Sequence, residues 1–139
     1  MQKTILDPRL KESNSAMQDH LGYQLTHWGT NHACFKQPLS AQILNRAGIP
    51  HGGLYATLLD TAMGYSGCYT GDPMQKTFAL TMTLNVNFLS RPSGSYLIAE
   101  GIVTGGGKRT FFAEGSIFDA SGDLIARGTG AFQRRPEQS

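Results

Sequence analysis

The stretch from about His51 to Tyr69 reads as a helix with no polar side. Leu54, Tyr55, Leu58, Leu59, Ala62, Met63 and Tyr65 fall around its circumference instead of along one stripe. A surface helix keeps a polar face, and one that is apolar all round has to be enclosed by protein. Pro50 and Gly52-Gly53 break whatever precedes the helix, while Gly67 and Gly71-Asp72-Pro73 stop it. Some other part of the chain must therefore wrap this element.

The wrapping material is strand. Thr77–Leu89 alternates without a slip, with Phe78, Leu80, Met82, Leu84, Val86 and Phe88 on one face and Thr77, Thr81, Thr83, Asn85 and Asn87 on the other. That pattern predicts a half-buried antiparallel strand. Arg91-Pro92-Ser93-Gly94 turns the chain into Tyr96–Thr104, Gly105-Gly106-Gly107 turns it into Thr110–Phe118, and Asp119-Ala120-Ser121-Gly122-Asp123 precedes Leu124–Gln133. Upstream, Gly22–Trp28 and Asn31–Lys36 read as two short strands joined at Gly29-Thr30. Pro38 ends the second, and a loop runs through Asn45 to Pro50. Residues 1–15 are polar and read as a frayed or short helical arm. The expected organisation is an arm over 1–20, one domain over 21–133 and a tail over 134–139. Strands, one enclosed helix and a four-strand meander make an α+β chain whose long antiparallel sheet curls around a central helix, the hotdog architecture.

Composition narrows the partners. A chain of 139 residues is long enough for one domain with its own core. Only 16% of residues are charged against 40% hydrophobic, so part of the surface is expected to be buried against further copies, as a homodimer or homotetramer. The net charge of +2 and the lack of a long basic run exclude nucleic acid. Nothing reaches the length of a membrane span, and MQKTILDPRLKESNSAMQ lacks the apolar core of a signal peptide. Cys34 and Cys68 carry no metal or redox spacing and read as reduced thiols in a cytoplasm. His20, His27, His32 and His51 make no metal set with them, so neither metal nor cofactor is expected.

One residue inside the apolar helix is out of place. Asp60 falls in the third turn, where Asp is a poor helix former and is rarely buried without a partner. No Lys or Arg occurs between Arg46 and Lys76, so no cation within helical reach neutralises it. A carboxylate kept in such a place points to chemistry. By contrast, Gly105-Gly106-Gly107-Lys108-Arg109 is no phosphate loop: Ile102 stands where that motif needs Gly, and Arg109 replaces its Ser or Thr.

The segment Asn45-x-x-Gly48-x-x-His51-Gly52-Gly53, followed by Leu59-Asp60-Thr61-Ala62, resembles the signature of hotdog acyl-coenzyme A thioesterases of the phenylacetate-degradation (PaaI-like) type. The resemblance runs on through Thr81-x-x-Leu84-x-Val86-x-Phe88-Leu89-x-Arg91-Pro92 and Phe118-Asp119-x-x-Gly122-x-Leu124-Ile125-Ala126, and covers roughly residues 21–133. It implies hydrolysis of an acyl- or aryl-coenzyme A thioester. Asp60 matches the catalytic carboxylate, acting as nucleophile or as base on a water. Gly52 matches the residue whose N–H polarises the thioester carbonyl, with Gly53 beside it on the substrate side. Asn45 matches the polar side chain that positions the water or the thioester, and Thr81 falls where relatives carry a Ser or Thr near the carboxylate. His51 enters the set as support for the loop. Lys108, Arg109 and Arg91 are the candidates to meet the phosphates of coenzyme A.

Strict alternation puts Thr81 on the polar face of its strand, away from its own helix, so it reaches Asp60 only at a subunit edge or a bulge. Gly52 and Asp60 lie eight residues apart, about 12 Å of helix rise. Two groups so separated cannot both serve one carbonyl, so the expected site combines Gly52 of one copy with Asp60 of another. Two other functions fit the same fold. A hydratase or dehydratase would pair His and Asp about five residues apart near the helix, and no such pair occurs. A non-catalytic acyl-coenzyme A sensor would add a DNA-binding segment, for which the arm is too short.

Overall fold

The computed structural model describes residues 3–137. Its strands are β1 (Gln24–Gly29), β2 (His32–Pro38), β3 (Thr77–Phe88), β4 (Tyr96–Gly106), β5 (Thr110–Asp119) and β6 (Leu124–Pro136). They form one antiparallel sheet in the order β1-β2-β4-β5-β6-β3. The short helix α1 (Ala16–Leu21) precedes β1, and the long helix α2 (Gly52–Ser66) lies against the sheet. This is the hotdog arrangement: Leu58, Leu59, Ala62 and Met63 are buried between helix and strands, and the core continues into Phe35, Leu97, Phe111, Ile117 and Phe132.

A row of glycines fixes where the helix lies. Gly101 on β4 pairs with Gly115 on β5, which pairs with Gly128 on β6. A methyl on Gly101 would stand 2.2 Å from the Ala62 carbonyl oxygen, and one on Gly115 2.8 Å from Leu59. The missing side chains make a trough across three central strands, and the middle of α2 sits in it. Asp60, between Leu59 and Thr61, is thereby held beside β3 at the end of the sheet.

The structure corrects the sequence reading at several points. Residues 134–136, read as tail, continue β6 and pair with Ala79, Phe78 and Thr77 of β3. Helix α2 stops at Ser66 instead of Tyr69. A Cβ on Gly67 would lie 2.3 Å from the Phe111 ring, so the chain turns there and the Cys68 N–H bonds the Tyr65 carbonyl.

Strand β3 is an edge strand with a bulge between Thr81 and Thr83. Ala79 packs towards the core and Thr81 reaches the helix, whereas beyond the bulge Val86 packs on the core and Phe88, 58% exposed, lies beside Tyr55 on the helix side. Phe78, Leu80 and Met82 are left outward, 46%, 51% and 56% exposed. One extra residue exchanges the faces of a strand, so the unbroken alternation of the sequence is cut in two. Within one chain the strand is exposed along most of its length.

The N-terminal arm is strapped to the domain. Ile5 bridges His27, the Leu6 N–H bonds the Thr26 carbonyl and the Trp28 N–H bonds the Thr4 carbonyl. A single turn at Pro8–Leu10 then buries Leu10 against Trp28 and Ala33.

Candidate active site

His51 is the N-cap of α2. Its Nδ1 accepts the Gly53 N–H at 2.8 Å, and its carbonyl accepts the Leu54 N–H. Among the described residues the Gly52 N–H has no acceptor. The first N–H groups of a helix are unpaired and lie at its positive dipole end, and here capping leaves Gly52 as the donor with nothing to bind. Asn45 closes the loop before the helix, its Oδ1 accepting from Ala47 N–H at 2.9 Å and Ile49 N–H at 3.3 Å. Asn45, Gly52, Tyr55, Phe88 and Arg91 line one shallow depression of about 380 Å³. The turn that carries Arg91 is anchored by Asp119, whose carboxylate accepts from the Ser93 N–H and from Ser121. Those hydrogen bonds, the Ser93 N–H first, hold the Asp119 carboxyl well below the usual carboxylate range.

Asp60 is elsewhere. It is half-buried on the side of α2 that faces β3, and its Oδ1 accepts the Thr81 hydroxyl at 2.6 Å. The hydroxyls of Thr57 and Thr61 bond back to their own helix, at Gly53 and Thr57 carbonyls, and do not reach the carboxylate. Thr81 does so because the bulge follows it. Asp60 and Thr81 open into a cavity of about 190 Å³ that also touches Glu12, Gly64, Tyr65 and Phe132. Its Cys68 thiol is pushed up to about 11 by burial, so it stays protonated near neutrality.

The chain thus brings Asn45, Gly52 and Arg91 together, and Asp60 and Thr81 together, but keeps the two sets in separate depressions. Lys108 and Arg109 sit in a third, with Thr77 and Arg135, of about 660 Å³. Arg134 is the mainstay of that turn, donating to the carbonyls of Gly67, Gly107 and Lys108 and lying over the Phe111 ring. The sequence reading missed Glu12 and Arg134. Neither carries a motif, and both are placed only by the arm and by the pairing of β5 with β6.

The profile of the thioesterase superfamily matches residues 47–126, which span Gly52, Asp60 and Thr81. The chain belongs to that superfamily. Solved relatives agree on the fold. The conserved protein PA5202 from Pseudomonas aeruginosa superposes with a TM-score of 0.78 at 22% identity, covering 91% of this chain and 97% of its own. The PaaI protein from the phenylacetic acid degradation operon of E. coli gives 0.75 at 24% identity, covering 88% and 86%. The BH2602 protein from Bacillus halodurans, solved with CoA, gives 0.74 at 25% identity, covering 92% and 83%. No curated protein matches the sequence. In this superfamily member no group of three His, Cys, Asp or Glu residues could hold a metal, and no helix is long and apolar enough to cross a membrane, among the described residues.

Proposed function

We propose that this protein hydrolyses an acyl-coenzyme A thioester to the free acid and coenzyme A, at sites shared between two copies of the chain. One observation carries the reading. An unpaired N–H at Gly52 and a carboxylate at Asp60 lie on one helix about 12 Å apart, in different depressions, and both depressions border the free strand β3.

Strand β3 is twelve residues long, contains no charged residue and no proline, and exposes Phe78, Leu80 and Met82. Edge strands left alone are guarded by charges, prolines or short length, and this one has none of these. Antiparallel pairing with β3 of a second copy satisfies it. Centred between Leu84 and Asn85, such pairing sets Thr81 of one copy opposite Phe88 of the other. The Asp60 half-site of each copy then meets the Gly52 half-site of its mate, and two-fold symmetry makes two sites.

In each site the thioester carbonyl oxygen accepts the Gly52 N–H, whose hydrogen bond strengthens as negative charge develops there, a contribution of roughly 3 kcal/mol. Asp60 either attacks the carbonyl carbon, displacing the thiolate to give a mixed anhydride that a water then hydrolyses to the acid and the free Asp60 carboxylate, or takes a proton from the water that attacks the carbonyl carbon itself, with the Thr81 hydroxyl holding its carboxylate in place. On either route the C–S bond breaks, coenzyme A leaves as a thiolate and takes up a proton, and the acid is released. Asn45 has its carboxamide oxygen in the loop and its amide N–H groups free to orient the thioester or the water. His51 acts as a cap, and Gly53, with its N–H bound to that cap, provides close approach without donating. Arg91, Lys108 and Arg109 are the cations for the phosphates. The site works in a soluble homodimer or homotetramer of the cytoplasm, without cofactor.

A thiol-release assay over a panel of aryl and aliphatic acyl-coenzyme A esters tests this. Turnover of at least one ester, abolished in Asp60→Asn, is expected. A protein that binds the esters without releasing thiol from any of them is not a thioesterase.

A further inference from the structure

The N-terminal arm is pinned to the sheet by a histidine. Ala33 and Phe35 of β2 pack inwards, so the alternation of the strand turns His32 and Cys34 to the opposite face. His32 is nevertheless only 6% exposed, because Thr4 of the arm lies against it. Its Nε2 stands 2.8 Å from the Thr4 backbone nitrogen. A backbone N–H can only donate, so Nε2 accepts, and the ring proton sits on Nδ1, 3.2 Å from the Thr30 carbonyl oxygen that receives it. The ring is wedged in place: a methyl on Gly29 would come within 2.5 Å of its Cε1 and 2.7 Å of the Thr4 hydroxyl oxygen. Its neighbours are rich in cations. Lys3 on the arm reaches across to Glu100 on β4. On β1, burial first, then Lys3 and His32, hold the His27 imidazole below the ordinary histidine range. Glu114 stands one strand further on, opposite Ile102, and the Cys34 thiol is pushed up by burial and stays neutral.

We propose that His32 is an acid-released latch for the N-terminal arm: the neutral ring holds Thr4 down, and the protonated ring lets the arm, Lys3 to Glu12, lift from the sheet. A protonated imidazole has two donors and no acceptor. Whichever way it is turned, it sets an N–H against the Thr4 N–H, and it adds a positive charge beside Lys3. The sign follows from linkage. Docking requires the neutral ring, so the proton binds the lifted form in preference; docking is complete at high pH and is lost as the pH falls and His32 takes up its proton. Two further residues of the arm make the release consequential. Leu10 covers Trp28, and Glu12 accepts the Tyr65 hydroxyl at 2.9 Å and lines the cavity of Asp60. Lifting the arm uncovers the indole and takes Glu12 away from that cavity. The latch stands whether or not the protein hydrolyses thioesters.

Trp28 is the only tryptophan of the chain, so its emission reads the arm directly. The test follows the full-length protein from about pH 8 to about pH 5, the interval in which histidines titrate. Emission should shift to the red and acrylamide quenching should rise to the level of a Leu10→Asp variant, which lacks the apolar anchor at any pH, while the far-ultraviolet circular dichroism stays constant. His32→Gln offers a carboxamide oxygen that accepts from Thr4 and does not titrate, so the step should vanish with the indole still covered. His27→Gln should keep the step. If His32→Gln leaves the arm lifted at every pH, the wild type decides: the quenching step must coincide with the titration of His32, read by nitrogen NMR of labelled histidines. The latch is overturned by a flat wild-type profile, by a step that survives in His32→Gln or is lost in His27→Gln, by a step away from the His32 titration, or by one that comes with loss of the dichroism.

Discussion

Two places along strand β3 have opposite equipment. Near Phe88 the chain offers a hydrogen-bond donor with no acceptor, the Gly52 N–H, and no acidic group lines that depression. Near Thr81 it offers a carboxylate whose one side-chain donor is a hydroxyl, and no free helix N-terminus lies there. The first can stabilise an oxyanion and the second can deliver an attacking oxygen, and neither does the other's task. A helix long enough to span the sheet cannot bring its own ends together. The proposed two-fold pairing would, because it would place the beginning of one helix beside the middle of the other.

Breaking the Thr81 side should have the largest effect. Asp60→Asn removes the charge and keeps the shape, so turnover of the best ester should fall by at least ~100-fold, the low end of what a catalytic acid–base group contributes. The melting temperature should hold or rise, since a half-buried carboxylate becomes a neutral amide. Near-wild-type turnover in a folded Asp60→Asn protein would end the proposed mechanism.

Next comes the joining of the two sides. A Cβ on Gly52 would come within 3.4 Å of the Phe88 ring, so Gly52→Val crowds the carbonyl site. Each homodimer, Asp60→Asn or Gly52→Val, should be inactive. Co-expressed chains form mixed dimers half of the time, and each mixed dimer carries one site with both defects and one with neither. Activity should therefore recover to about a quarter of wild type. Demonstrably mixed dimers with no recovery would put Asp60 and Gly52 in one chain's site, or remove one of them from it.

The trough beneath the helix sets the position of both places. Gly101→Ala forces a methyl against the Ala62 backbone, which cannot rotate away, and should lower stability by about 2 kcal/mol, read by urea denaturation. An unchanged midpoint would mean that the helix has room to lift, and that the spacing of the half-sites is not fixed by the sheet.

Much of this was legible in the sequence, for a physical reason. An enclosed helix declares itself by lacking a polar side, and turns declare themselves by Gly, Pro and Asp, so the helix, the meander and the odd position of Asp60 follow from local pattern. What escaped depends on register. The alternation required an edge or a bulge if Thr81 was to reach Asp60, and both are present, but nothing in Thr81-Met82-Thr83 marks that the bulge falls there. Gly101, Gly115 and Gly128 form a row only once β4, β5 and β6 are paired. Glu12 lies in a polar arm that reads as frayed, and its place depends on Leu10 and Ile5 finding partners far along the chain.

The smallest effects concern the cations, and they sharpen the comparison at its outer edge. Arg91 lines the Gly52 depression, while Lys108 and Arg109 line the one that adjoins the Asp60 cavity through Thr77. The proposed pairing, which sets Thr81 opposite Phe88, would, carried three residues past Phe88, bring Arg91 of one copy opposite Phe78 of the other, the same end of the site that Lys108 and Arg109 approach. The competing candidates for coenzyme A phosphates would then converge on one substrate from two copies. Exposed charges interact by about 0.2–1 kcal/mol each, so Arg91→Ala and Lys108→Ala should each raise KM by about two- to five-fold with kcat unchanged. Both effects should shrink as salt is added, because solvent-exposed charges are screened. A pantetheine thioester, which lacks the nucleotide, should be indifferent to either change. If Arg91→Ala alone raises KM, the phosphates lie wholly on the Gly52 side. If Lys108→Ala alone does, they lie on the Asp60 side, and the register of the two β3 strands has to be moved.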